Sequence, residues 1–290
     1  MNDFVIVTDS SCDLPATVAD ELELTVLPLS FNLMEKEYHN YLDGREISFQ
    51  DFYQQIREGK SCITSAVNVE AFATAFERIL KSGKDVLCIA FSSGLSNTYN
   101  AAKLACEELA PKYPERKVYA VDTLCASLGE GLMVYLAVQE KRKGKSIDQV
   151  RDYVEENKLH LCHWFTVEDL NHLKRGGRVS AATALIGTML NIKPVLHVDD
   201  AGHLINVGKA RGRNPSLTAL VDHMEETAID PASQVVFISH GDSQKDADYV
   251  ANQVKERFGV KTILTNFVGP VIGTHSGPGT IALFFLGTHR

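Results

Sequence analysis

The sequence lacks any sign of an export leader. Met1-Asn2-Asp3 carries no basic residue and passes straight into Phe4-Val5-Ile6-Val7, which reads as a first strand. It also lacks an apolar run approaching the ~20 residues that a membrane-crossing helix needs. The expected location is therefore cytoplasmic. Cysteine pairs are missing too. Cys12, Cys62, Cys88, Cys106, Cys125 and Cys162 form no Cys-x-x-Cys motif, and most stand among apolar residues. They read as small buried thiols, not as a zinc site or a disulfide framework. Asp43, Asp199 and Asp200 have no metal-ligand spacing, so no metal is expected. There is no Walker lysine and no Gly-x-Gly-x-x-Gly turn. Gly94-Leu95-Ser96-Asn97-Thr98 lacks the closing glycine of a hydrolase nucleophile elbow. Positive charge is in deficit as well. The formal net charge of −8 gives the molecule no bulk attraction for nucleic acid.

What is present is a chain of 290 residues, 44% of them hydrophobic, enough to bury one large core or two ordinary ones. β-rich runs over 4–8, 24–31, 86–91 and 118–121 alternate with helical patterns over 49–58, 69–81, 97–109, 124–141 and 147–156. Ala101, Ala102, Leu104, Ala105 and Leu109 mark one broad apolar helix face. Such alternation predicts an α/β fold with a mostly parallel sheet flanked by helices. In the second half, strands are expected over 159–167, 192–198, 203–207, 235–239, 261–266 and 281–286. Helices are expected over 168–173, 179–189, 215–227 and 245–258. Asp199-Asp200-Ala201-Gly202 reads as a hairpin turn. The expectation is two lobes, 1–159 and 160–290, the second with a mixed sheet.

Ligands in open α/β sheets bind outside the carboxyl ends of the strands. Three hydroxyl-rich segments are expected there: Thr8-Asp9-Ser10-Ser11, Thr64-Ser65, and Ser92-Ser93-Gly94-Leu95-Ser96-Asn97-Thr98. The last joins a strand to a helix start, where backbone N–H groups and the helix dipole favour an anion. Simple N-capping by Ser96 is the competing reading. Gly129-Glu130-Gly131, inside an apolar helical pattern, reads as close helix packing. From Gly269 to Gly279, four glycines and two prolines frame His275 in what reads as a rigid loop. That histidine is either an anion donor or an incidental turn residue. Lys174-Arg175-Gly176-Gly177-Arg178 is either a basic surface for an acidic partner or phosphate, or a solvated loop.

Taken together, Thr8 to Leu14, Ile63-Thr64-Ser65, Phe91 to Tyr99, Val121-Asp122-Thr123, Ala126 to Gly129, Leu173 to Arg178, Lys193 to Leu196 and Gly273 to Gly279 resemble the DegV family, in order from end to end. The resemblance implies one DegV domain over about 3–288 and a long-chain fatty acid held between two α/β lobes. It implies no cofactor and no catalysis by the chain itself. By motif, the carboxylate falls to Thr64 and Ser96, with Ser93, Ser65 and His275 completing the polar network. Close relatives present the lipid to a separate kinase similar to dihydroxyacetone kinase, which forms an acyl phosphate for phospholipid synthesis. Lys174, Arg175 and Arg178 match the docking region. Two positions depart from the pattern: Ala66 stands where glutamine is frequent, and Asn97 where glycine is usual. A carrier of this kind competes with a bilayer for its ligand, so transient membrane contact is also expected. The alternatives are a phosphotransferase-like enzyme using His275 and a regulatory sensor of another anionic lipid.

Overall fold

The computed structural model describes residues 3–180 and 191–290. The helix expected over 179–189 lies, from residue 181 on, outside the described residues; Val179 and Ser180 are not helical. In chain order the first elements are β1 (Phe4–Asp9), α1 (Ala16–Glu21), β2 (Thr25–Leu27), β3 (Ser30–Leu33), β4 (Lys36–His39), α2 (Phe49–Arg57), β5 (Cys62–Ser65), α3 (Val69–Lys81), β6 (Asp85–Ala90), α4 (Thr98–Leu109) and β7 (Val118–Asp122). Then come α5 (Leu128–Arg142), α6 (Ile147–Asn157), β8 (Leu161–Thr166), α7 (Leu170–Arg175), β9 (Ile192–Val198), β10 (Leu204–Arg211) and α8 (Arg213–Thr227). The last are β11 (Val235–His240), α9 (Gln244–Phe258), β12 (Thr262–Phe267), α10 (Pro270–Ser276) and β13 (Ile281–Leu286).

Two large sheets divide the chain. The first has the order β2-β1-β6-β7 and is parallel throughout. The second has the order β10-β9-β8-β13-β11-β12 and is mixed: only β11 and β12 run parallel. Side chains alternate across each strand, so each sheet feeds two cores. Phe4, Ile6, Leu87 and Ile89 point from the first sheet onto α5, which meets Phe165, Phe237 and Phe284 of the second sheet on its far side. Val7, Val86, Cys88 and Ala90 point the other way, onto α3 and α4. Trp164, Val236, Ile238 and Leu283 leave the second sheet toward α8 and α9. The helix α5 is thus enclosed by both sheets, and it is apolar around most of its circumference for that reason.

The glycines of α5 permit this enclosure. A Cβ at Gly129 would lie 2.2 Å from the His163 ring, and one at Gly131 would lie 2.5 Å from the Cys12 carbonyl oxygen. This is the close packing read from the sequence. The helix starts at Leu128, not at 124, because Leu124 and Ser127 have left-handed backbone (φ 53° and 54°). Leu104, expected on the buried face of α4, is exposed; Cys106 takes a place in the core instead.

One part of the architecture was not expected. Residues 24–31 read as one strand, yet Pro28 divides them. The piece β2 joins the parallel sheet, whereas β3 pairs with β4 and β5 in a separate antiparallel sheet of order β4-β3-β5. Thr64 and Ser65, expected in a loop, therefore lie on the edge strand β5. Likewise 269–279, expected as a loop, contains α10, with Pro270 in its first turn. The short α10 packs on α7, α2 and β5. In this way a segment from the second half of the chain reaches the small sheet of the first.

Candidate functional site

An apolar cavity opens between the two large sheets. Its wall includes Leu29, Phe91, Phe165, Val271, Ile272 and Phe284. One end is polar. There β5 alternates so that Thr64 points inward while Ile63 and Ser65 are exposed. Thr64 Oγ1 is hydrogen-bonded to His275 Nε2 at 2.9 Å. The docking of α10 makes this pair, because Thr64 and His275 are 211 positions apart in sequence. Burial, reinforced by the Arg178 guanidinium, pushes the His275 pKa down to about 4. At neutral pH the ring is therefore uncharged. Its Nδ1 is buried without a hydrogen-bond partner. A Cβ on Gly176 would lie 2.1 Å from that nitrogen, so only glycine fits beneath the ring.

Arg178 lies on the wall of the same cavity. It donates to the Leu95 carbonyl at 3.0 Å and to the Gly176 carbonyl. It thereby ties the loop after α7 to the loop before α4. Among the described residues of the cavity wall it is the one permanent charge. The sequence reading placed Arg178 with Lys174 and Arg175 as a surface cluster. The structure separates them: Arg178 is half-buried at the cavity, and Lys174 is exposed. Arg175 lines a second, outer groove, where it donates to His172 Nδ1 at 3.0 Å. Thr64, Arg178 and His275 border both spaces and so form the partition between them.

The Ser92–Thr98 loop does less than its sequence suggested. The N–H groups of Ser93, Gly94, Leu95, Ser96 and Thr98 are all bonded within the first lobe, to Asp122 Oδ1, Ser92 or Ser96. Ser96 Oγ accepts from the Thr98 N–H at 3.2 Å and bonds the Thr98 hydroxyl at 2.9 Å. These are local turn bonds at the start of α4, whose N-cap is Asn97 without a side-chain cap, so Ser96 is not the capping residue; Ser96 and Asn97 also line the cavity. Ser65 and Ala66 line it as well, while Ser93 is exposed and lies outside it.

The Thr8–Ser11 segment is buried beneath the cavity wall and does not line it. Thr8 donates to Glu130 Oε1 at 2.9 Å, and Asp9 accepts from the Ser11 and Phe91 amides. Asp13 closes this network: it accepts from Ser127 Oγ at 2.6 Å. Burial pushes the Asp13 pKa up to about 8 and raises those of Asp9 and Glu130. The sequence reading also missed wall residues. Ser127, His163, Ser239, Ser276 and Thr280 all line the cavity. His163 bonds the Leu161 carbonyl through Nδ1, and its Nε2 accepts from the Ala126 N–H, so it is a neutral wall residue. His163 and Ser239 look like ordinary strand positions, and Ser127, Ser276 and Thr280 like ordinary helix-end or loop positions; the pairing of β8, β13 and β11 and the docking of α5 and α10 bring them together.

Among the described residues no group of three or more His, Cys, Asp or Glu is arranged to hold a metal ion. Nor is any described helix long and apolar enough to cross a membrane. Comparison with known proteins gives a consistent result. The family model described as "Uncharacterised protein, DegV family COG1307" matches residues 3–288. A DegV domain-containing protein of Clostridium perfringens is 48% identical over 287 residues, covering 99% of this chain and 98% of the relative. Two solved structures cover 99% of this chain, each with a TM-score of 0.87. One is a fatty-acid-binding DegV family protein from Thermus thermophilus, 31% identical and covered over its full length. The other is a DegV lipid-binding protein from Thermotoga maritima, 28% identical and covered over 99%. This chain belongs to the DegV family.

Proposed function

We propose that the chain is a non-catalytic carrier that binds one long-chain fatty acid. Its tail fills the apolar cavity, and its carboxylate meets Thr64, His275 and Arg178, with Ser96 and Ser65 beside them. The observation that supports this most is the polar end of the cavity, where a hydroxyl, a neutral imidazole and one guanidinium converge on an otherwise apolar space. Each buried methylene contributes about 0.8 kcal/mol, so a long tail supplies the affinity and the head group supplies orientation. A carboxylate removed from water needs donors and a countercharge. Arg178 offers both, and Thr64 offers a hydroxyl. The same chemistry argues against His275 as a general base. A ring held at about 4 is a weak base at neutral pH, and no second acid–base group among the described residues bonds it.

We further propose that the carboxylate is presented through the outer groove to a separate kinase similar to dihydroxyacetone kinase. Arg175 in that groove and the exposed Lys174 beside it are the docking residues. Ligand exchange with a bilayer then proceeds by transient contact. A fluorescent fatty-acid displacement assay tests the binding half. Thr64→Val should weaken binding roughly tenfold to a hundredfold, because a hydrogen bond to a charged group is worth about 1.5–3 kcal/mol. Unchanged affinity would place the carboxylate elsewhere.

A further inference from the structure

A long acyl tail enters an apolar cavity when part of the wall moves aside, and one part of this wall is lightly held. Among the described residues, the β9–β10 hairpin is bonded to β8 only through the Trp164–His197 and Phe165–Leu196 pairs. Residues 198–204 therefore project past the sheet. By contrast, β8 is paired with β13 along its whole length, from Leu161–Leu286 to Thr166–Ile281. The projecting tip is tied to itself. Asp199 Oδ1 accepts from the Ala201 and His203 N–H groups at 3.0 and 2.8 Å, and the Asp199 N–H donates to the His203 carbonyl at 2.9 Å. The tip can thus move as a unit.

This tip covers the cavity. Val198 and Leu204, paired at its base, line the cavity, and so do Leu95 and Ser96 of the loop it rests on. The contact is close: a Cβ on Gly94 would lie 2.7 Å from the Ala201 carbonyl oxygen. Two side chains hold the tip down. Ser92 Oγ donates to the Gly202 carbonyl at 2.9 Å, and Arg290 Nη1 donates to the Asp199 carbonyl at 3.0 Å. Arg290 is itself fixed. It is only 8% exposed, and it donates to the Lys158 carbonyl at 2.6 Å, the Leu161 carbonyl at 3.2 Å and Cys125 Sγ at 3.3 Å. Two hydrogen bonds to carbonyls are a weak latch beside a core strand that would have to leave its ladder. Lifting the tip separates the Leu204 wall from the Leu95–Ser96 wall and opens the cavity between the two halves of the chain.

We propose that the 198–204 tip is the gate through which the acyl ligand enters and leaves the cavity, with Ser92 and Arg290 as its latch. The proposal rests on the reading of the cavity as a fatty-acid site. It gives the tail a route distinct from the outer groove, since neither the tip nor its latch borders that groove.

The test is stopped-flow release of a bound fluorescent fatty acid into excess stearic acid. A Cβ on Gly202 would lie 2.2 Å from Ser92 Oγ, so cysteines at these two positions have Cβ atoms near the spacing of about 3.5–4.5 Å that a disulfide needs. The oxidised double variant, Ser92→Cys with Gly202→Cys, should release about tenfold or more slowly than the parent, and reduction should restore fast release. Ser92→Ala removes half of the latch and adds no bulk. It should release roughly twofold to tenfold faster, with affinity little changed because entry speeds up as well. The proposal is overturned if the cross-linked protein, its bond verified by mass, releases at the parent's rate, or if Ser92→Ala does. Where the double variant fails to fold or to oxidise, Ser92→Ala alone decides. If the parent binds neither the fluorescent acid nor stearic acid, the fatty-acid reading itself falls.

Discussion

At the level of single residues, burial decides where charge is allowed. Asp13 titrates at about 8 in the folded protein, against 3.8 for a free side chain, because burial disfavours its charged form. Below about pH 4 the carboxyl is neutral in both states, and its contribution to stability is fully present. As pH rises toward 8 the unfolded chain ionises while the folded one does not, so stability is lost through that window. Asp13→Asn removes this loss, since the amide is neutral at every pH and still accepts from Ser127. The melting temperature of the variant should gain steadily on the parent between pH 5 and 8. Asp9 and Glu130 shift the same way, but they are common to both proteins and cancel in the difference. A constant offset across that range would mean that Asp13 is ionised in the folded state. Arg178 invites a complementary experiment. Arg178→Ala should lower fatty-acid affinity about tenfold or more through loss of a charged hydrogen bond. Retained affinity with slowed hand-over would return Arg178 to the docking surface where the sequence reading put it.

Among the secondary-structure elements, much was legible and the gaps have physical causes. Periodicity located the buried strands β1, β6, β7, β8 and β11 and the helices α2, α3, α4, α6, α8 and α9 to within a few residues. Each has a strong apolar repeat or a side-chain cap such as Asn68, which accepts from the Ala71 N–H at 2.8 Å. The small sheet escaped because β4 is short and mostly exposed, with no alternation to read. The helix α10 escaped because its glycine and proline content resembles a loop; packing on α7 and β5 stabilises it, not its own propensity. The polar end of the cavity was partly legible. Thr64, Ser96 and His275 were named from the sequence, and all three line the cavity. The place of Arg178 on the cavity wall required the fold, because only the fold brings the loop after α7 to the loop before α4, through its bond to the Leu95 carbonyl.

The hairpin between β9 and β10 offers a test at this scale. Gly202 has φ +78°, and a Cβ there would lie 2.2 Å from Ser92 Oγ, which donates to the Gly202 carbonyl across the two halves of the chain. Gly144 has φ +84°, with nothing within 4 Å of such a Cβ. Gly144→Ala should cost about 1 kcal/mol from backbone strain alone. Gly202→Ala should cost clearly more in chemical denaturation, because it also forces the hairpin tip away from Ser92. Equal costs would mean that this contact contributes nothing to holding the halves together.

The whole molecule is two sheets clasping one helix, with an apolar space between them that is closed at one end by polar side chains. Its net charge of −8 makes the cationic rim at Lys174 and Arg175 a local exception. Rim charges act mainly on the rate of encounter. Arg175→Ala should therefore leave bound lipid unchanged and slow acyl-phosphate formation by the cognate kinase, as added salt does. Identical rates across ionic strength would leave Arg175 a solvated side chain. The central claim, that the cavity holds one fatty acid, is tested most directly by native mass spectrometry of the chain purified from cells. The expected result is a species heavier than the bare chain by a single long-chain fatty acid, which denaturation releases. Bare chain alone, even after incubation with stoichiometric fatty acid, would contradict it.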